Sequence, residues 1–152
     1  MPLPPFSASA TVTGRTVAPA LFAGKKGLLV VHGARNGEVG KDLSKKLRAK
    51  HPDFKAVPYA SIVDLRAFSG LWRKVAEAQL KQTYEKLATR AKEAGADPAD
   101  AVIIVPDWEG AIAQALGVES PDKDPMAFVV GDGKILGVLP AAQADAALAL
   151  LA

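Results

Sequence analysis

Short apolar runs bounded by Gly, Pro and polar clusters alternate along this chain with stretches whose apolar positions recur at helical spacing. The pattern is set by Gly27 to Leu47. Leu28 to Val31 is a continuous apolar run, which suits a strand covered on both faces. His32 to Gly40 is a polar loop punctuated by Gly, and Leu43 and Leu47 follow one helical turn apart. A buried strand passing through such a loop into a helix is where open α/β sheets place their sites, beyond the carboxyl ends of the strands.

Ahead of this unit, Met1 to Pro5 reads as an extended arm. Ser7 to Val17 reads as a two-strand hairpin around Thr13-Gly14, and Pro19 to Lys26 as a connection with one helical turn at Leu21 and Phe22. The first helix is expected to end near Lys50, because Pro52 disfavours helical geometry in the residue before it. Phe54 to Val63 is predicted as the second strand, with Pro58 marking an edge or bulged position. A long helix is predicted over Phe68 to Ala94, with an apolar stripe of Leu71, Val75, Ala78, Leu87 and Ala91 and charges of alternating sign, closed by Gly95.

Ala101 to Val105 is the clearest buried strand, and Glu109 to Leu116 a short helix stopped by Gly117. Met126–Val130 and Lys134–Leu139 flank Gly131-Asp132-Gly133, a hairpin signal, and Ala141 to Leu151 reads as a terminal helix. The expected fold class is therefore α/β, a mixed central sheet with helices on both faces, preceded by a β-hairpin and carrying one long inserted helix.

Composition narrows the chemistry. At 152 residues, with 49% hydrophobic and 23% charged side chains, the chain suits one soluble globular domain spanning 1–152. It contains no cysteine, which removes disulfides, thiolate catalysis and Cys-ligated metals. With only His32 and His51, a multi-histidine metal site is not expected, and neither metal nor cofactor is called for. No apolar run reaches the roughly 20 residues that cross a bilayer. The N-terminus lacks the basic start and apolar core of a signal peptide. The cytoplasm is the expected compartment, and export remains open if a leader was removed upstream.

Beyond the fold pattern, motifs in two stretches resemble the thioredoxin-like superfamily, on its peroxiredoxin-like side. Asp107–Leu139 (DWEGAIAQALGVESPDKDPMAFVVGDGKILGVL) is similar to that branch in its Asp after a strand, its short helix ending in Gly-Val, and its apolar strand followed by Asp-Gly-Lys-Ile. The front segment GRTVAPALFAGKKGLLVVHGA is similar to the family's hairpin, Gly-Lys turn and first central strand. HGARNGEVGKDL with the long helix also resembles the cysteine-free YtfJ-type bacterial family. The resemblance implies a thioredoxin-like three-layer sandwich. It would place the family's Cys-x-x-Cys on Asn36-Gly37-Glu38-Val39, and its cis-proline, preceding a strand opposite that loop, at Pro125. Since the nucleophile is missing, the family's thiol activity is not carried over.

His32, Gly33, Arg35, Asn36 and Glu38 form the densest polar set at a strand end, with Asp107, Trp108, Asp124 and Pro125 expected on the same sheet edge. His32 could serve as an acid or base near neutrality and Arg35 could fork onto an anion. The plainer alternative has His32 bonded to a neighbouring loop and Arg35 paired with Glu38 or Asp107, and it is preferred because no nucleophile or second base accompanies them. The loop also fails as a phosphate-binding P-loop: Arg35 stands where the first Gly belongs and Asp42 where the magnesium-binding hydroxyl belongs.

Lys41, Lys45, Lys46, Arg48 and Lys50 make the first helix basic, but no aromatic residues interleave, so a solvated face is preferred to a nucleic-acid surface. Trp72 and Trp108 are expected in the core, Trp72 with the option of anchoring the long helix to a partner. The expected function is a redox-inactive binding or interaction module. A small-ligand protein or enzyme using the His32–Glu38 loop with Asp107 is the alternative, and weak nucleic-acid binding through the basic first helix is the second. Partners left open are another protein, a small anionic ligand, or a second copy meeting the Phe68–Ala94 helix; a membrane is not among them.

Overall fold

In the computed structural model, which describes residues 1–68 and 70–152, the sheet has five strands in the order β5-β4-β3-β6-β7. These are β3 (Lys26–Gly33), β4 (Tyr59–Asp64), β5 (Ile104–Asp107), β6 (Met126–Gly131) and β7 (Lys134–Pro140). A separate two-stranded hairpin, β1 (Ala8–Ser9) and β2 (Thr16–Val17), precedes them. The helices are α1 (Gly37–Lys50), α2 (Leu71–Glu93), α3 (Pro98–Ala101), α4 (Ala111–Ala115) and α5 (Ala144–Ala149).

β3 lies at the centre, parallel to β4 and antiparallel to β6, which explains its uninterrupted apolar run. Leu28 and Val30 face one side with Leu43 and Leu47 of α1 and Ala144, Ala147 and Leu148 of α5. Leu29 and Val31 face the other with Phe22, Phe128 and Ile112 of α4. Val63 and Ile104 pack with Ala76, Tyr84 and Ala88, so α2 covers the β4–β5 end on the α1 side. Three layers result. Each large apolar side chain so enclosed contributes about 1.5–3 kcal/mol relative to exposure.

The late hairpin turns at Asp132 and Gly133, both at positive φ (48° and 77°), the geometry that selects Asp-Gly in a two-residue loop. The N-terminal arm is extended as expected, but docked. Pro2 bridges Lys134, and the Leu3 N–H donates to the Gly133 carbonyl at 2.9 Å.

Several boundaries differ from the sequence expectation. β3 runs on through His32 and Gly33, and α1 starts at Gly37, so the loop shrinks to Ala34–Asn36. The second strand starts at Tyr59 rather than Phe54 and is interior, so Pro58 marks neither an edge nor a bulge. The reason is Arg48: its Nη1 donates to the carbonyls of His51 (3.1 Å), Asp53 (3.4 Å) and Val57 (2.9 Å), and its guanidinium lies 4.1 Å from the centre of the Phe54 ring. That clamp folds residues 51–57 into turns. The AVIIV strand starts late because Asp97 caps a helical turn over Pro98–Ala101.

Of the expected stripe on the long helix, Leu87 and Ala91 face the core, whereas Leu71, Val75 and Ala78 do not. The helix buries Ala76, Tyr84, Ala88 and Ala91 and leaves Leu71 85%, Trp72 66% and Val75 45% exposed. Leu71 and Val75 therefore do not cap the sheet, and Trp72 is not a core residue. Ser69, inside the expected span, lies outside the described residues.

Candidate functional site

The parallel strands end together. Strand register aligns Gly33 with Asp64 and Asp64 with Asp107, so three adjacent strand ends present a glycine and two carboxylates at the carboxyl edge of the sheet. This is the edge at which the fold places its chemistry.

His32 is buried, and its Nδ1 lies 2.7 Å from the Gly33 carbonyl oxygen. A carbonyl can only accept, so Nδ1 carries the proton and Nε2 keeps the lone pair of the neutral ring. The ring lies against the first turn of α1, where a Cβ at Gly37 or Gly40 would meet it only in ordinary van der Waals contact, at 3.7 and 3.8 Å. Burial pushes the His32 pKa below 6.5, partly opposed by the Gly33 hydrogen bond and by Asp122. The imidazole is therefore neutral at neutral pH.

Asn36 determines the shape of the turn. Its Oδ1 accepts from the Gly33 N–H at 2.8 Å, and its Nδ2 donates to the carbonyls of Pro121 at 2.8 Å and Asp122 at 3.0 Å. Asn36 is the N-cap residue of α1, yet its side chain caps nothing in that helix. It stitches the β3–α1 turn to the loop before β6 instead. Asp122 lies directly on Gly33, where a Cβ would overlap the Asp122 side chain. Of the four positions the resemblance assigns to the thiol motif, Asn36 is thus tied to the protein's own loop, while Glu38 stays exposed.

Asp107 is buried and accepts from the N–H groups of Ile112 (3.3 Å) and Ala113 (3.0 Å), holding the start of α4. Asp64, also buried, is forked by Arg66, with contacts of 2.8 to 3.1 Å from Nε and Nη2. That pairing raises the Arg66 pKa. Arg66 also donates to the Glu119 carbonyl at 3.2 Å and packs across Gly110, whose missing side chain makes room for it.

Of the residues singled out from sequence, His32, Gly33 and Asn36 come together with the 121–122 loop, and Asp107 shares their strand-end edge. Arg35 is exposed and, among the described residues, makes no side-chain hydrogen bond or ion pair, so the expected pairing with Glu38 or Asp107 is not seen. Glu38 pairs with Lys41 at 3.4 Å. Trp108 is half-buried beneath Arg73, whose guanidinium lies 4.4 Å from the ring centre. Asp124 and Pro125 sit in the same pre-β6 loop as the stitch. The bond before Pro125 is trans, since no cis peptide occurs among the described residues, so it does not reproduce the family's cis-proline.

Sequence reasoning missed Asp64, Arg66 and Asp122. The alignment of strand ends is the signal that could have found Asp64, because any polar residue one step past Val63 falls beside Gly33, and Arg66 enters as its ion-pair partner. The basic helix is partly neutralised: Lys46 pairs with Asp42 (3.7 Å) and Asp145 (3.9 Å), and Arg48 is drawn into the 51–57 turn. Among the described residues no cluster of three His, Asp or Glu could hold a metal ion, and no helix is long and apolar enough to cross a membrane.

No family model matches the chain, and no curated protein does. Solved structures do. The chain is similar to a thiol-disulfide oxidoreductase from Bacteroides fragilis (18% identity, 99% of this chain and 100% of that one, TM-score 0.64). It is similar to the exposed lipoprotein thioredoxin of Streptococcus pneumoniae (20%, 97% of each chain, 0.62). A secreted disulfide oxidoreductase of Mycobacterium tuberculosis also matches (16%, 96% of this chain and 93% of that one, 0.58). Likeness at this level shows the fold: the chain is a thioredoxin-like three-layer α/β protein. Two of these neighbours are named as disulfide oxidoreductases and one as a thioredoxin, and this chain has no cysteine.

Proposed function

We propose that this protein is a redox-inactive thioredoxin-like scaffold acting as a binding or interaction module, through its surface rather than through the vacated thiol site. One observation carries the reading: the turn that would hold the thiols has no cysteine and is tied by Asn36 to Pro121 and Asp122. Disulfide exchange and thiol peroxidation both begin with a thiolate, so purified protein is expected to show neither activity. Within the fold, the Asp107–Leu139 and HGARNGEVGKDL motifs support a place on the cysteine-free peroxiredoxin-like side, near the YtfJ-type bacterial family. We place the protein in the cytoplasm; the secreted and surface-exposed neighbours support export instead, and cell fractionation decides between them.

A second reading, a small-anion site or enzyme at the same loop, is favoured by the unpaired Arg35 and by the buried His32 ring, whose Nε2 has no protein partner among the described residues. Titration with sulfate, phosphate and small carboxylates, followed through the amide resonances of Gly33 to Gly40, separates the two. The module reading expects no saturable shift in that loop, because the Asp122 carboxylate already lies there. Saturable shifts abolished by Arg35→Ala would overturn it in favour of the second reading.

A further inference from the structure

The least explained surface of the molecule is the start of α2. Residues 71–75 are all exposed and the first buried position is Ala76, so more than a full turn stands clear of the core. Leu71 and Val75 lie on the side away from the sheet, and Trp72 stands exposed on its flank, one turn before buried Ala76. The outward side stays uncharged through Ala78, Gln79 and Gln82, all exposed. A solvated helix face normally carries charge there. The three apolar side chains expose on the order of 400 Å², the size of patch that on a monomer is often functional.

Charge indicates what could cover it. The first turn of α2 holds no acidic residue and no side-chain cap. Arg73 is engaged by Glu77 at 3.6 Å and by the Trp108 ring, whereas Lys74 and Lys81, on one flank of the stripe, have no ion pair among the described residues. A second copy lying antiparallel on the stripe would bring these lysines against their own counterparts. Two such patches would bury only about 800 Å² in total, short of the roughly 1,000 Å² that a stable interface needs. An anionic membrane would also have to approach the exposed Glu109, which adjoins the Trp108 on which Arg73 stacks.

We propose that the first three turns of α2 dock an amphipathic segment of a partner protein, with apolar anchors at helical spacing and acidic flanks, in a transient complex. This rests on the interaction-module reading and names the partner's chemistry. Trp72 supplies the anchor, since large aromatic residues dominate such contacts, and Lys74 and Lys81 select for acid.

The probe is a synthetic peptide of about 15 residues, long enough for a marginal helix, with Leu at positions spaced three and four apart and Glu elsewhere. Its twin carries Lys for Glu, and vesicles of phosphatidylglycerol and phosphatidylcholine form a third arm. The expected result is saturable amide shifts confined to Leu71–Gln82 with the Glu peptide, at least about tenfold weaker with the Lys twin. They should vanish in Leu71→Asp and Trp72→Ala, whose melting temperatures stay at the wild-type value. Equal binding of both twins, or no binding of the Glu peptide near 1 mM, overturns the proposal. So does vesicle binding in place of peptide binding, or a concentration-dependent mass that Leu71→Asp abolishes. If photo-crosslinks from Leu71 to another protein persist while the peptide fails, the acidic partner is wrong and the module reading stands.

Discussion

Replacing Asn36 by Ala removes three hydrogen bonds from the β3–α1 turn at once. The Gly33 N–H loses its acceptor in a buried position, which costs about 1–3 kcal/mol for an unsatisfied donor. The Pro121 and Asp122 carbonyls lose their donor, at about 0.5–1.5 kcal/mol each, less at Asp122, whose contact faces solvent and can be replaced by water. No capping energy is added to the loss, because the side chain caps nothing in α1. The expected destabilisation is about 2–4 kcal/mol. For a chain of this size that lowers the melting temperature by about 5–15 °C. Asn36→Asp separates the roles: it keeps an acceptor for Gly33, loses both donors and sets a second carboxylate beside Asp122. Urea unfolding with a shared m-value measures both variants, and amide exchange locates the effect, with Gly33 and Lys123–Asp124 accelerated most. If Asn36→Ala stays within about 0.5 kcal/mol of wild type and Gly33 exchange is unchanged, the stitch does not hold the turn closed.

Gly33→Ala drives a methyl group into Asp122 and should displace the 121–124 loop, costing about 1–3 kcal/mol and shifting the Asp122 amide resonance; an unperturbed Asp122 would contradict the packing. Because His32 takes up a proton less readily folded than unfolded, it draws stability down as pH falls through 6.5 towards its lower folded value. The difference between wild type and His32→Gln should therefore change across that window, and equal pH slopes for both would refute the buried neutral ring. Arg48→Met should destabilise by about 1–3 kcal/mol with faster exchange over residues 51–57, as three carbonyls lose their donor. A stabilised variant would mean that the unsatisfied Nε and Nη2 outweigh those bonds.

What sequence pattern could reveal here was what local rules control. The LLVV run, the Asp-Gly hairpin and the Gly37–Lys50 helix each carry their signal within a few residues. The misread segments were set from a distance. Residues 54–58 look like a strand until Arg48 donates to the carbonyls of His51, Asp53 and Val57. On α2 the expected stripe through Leu71, Val75, Ala78, Leu87 and Ala91 meets the buried side only at Leu87 and Ala91, beside Ala76, Tyr84 and Ala88, and periodicity alone does not separate the two faces. Only the sheet decides which is buried.

The site followed the same rule. His32, Gly33 and Asn36 stand out as polar or small residues at the end of a buried strand. Asp64 became visible only through register, which a single sequence leaves open, and Arg66 only as its partner. Asn36 could be placed at the missing motif, but its bonds to a loop some 85 residues away could not.

A photo-crosslinking residue placed at Leu71 or, separately, at Arg35 in living cells tests the account most directly, because the two positions report on the α2 patch and on the β3–α1 turn. The account expects discrete crosslinked protein species from Leu71 and none above background from Arg35. Crosslinks arising from Arg35 and absent from Leu71 would contradict it, and would return the function to the β3–α1 turn.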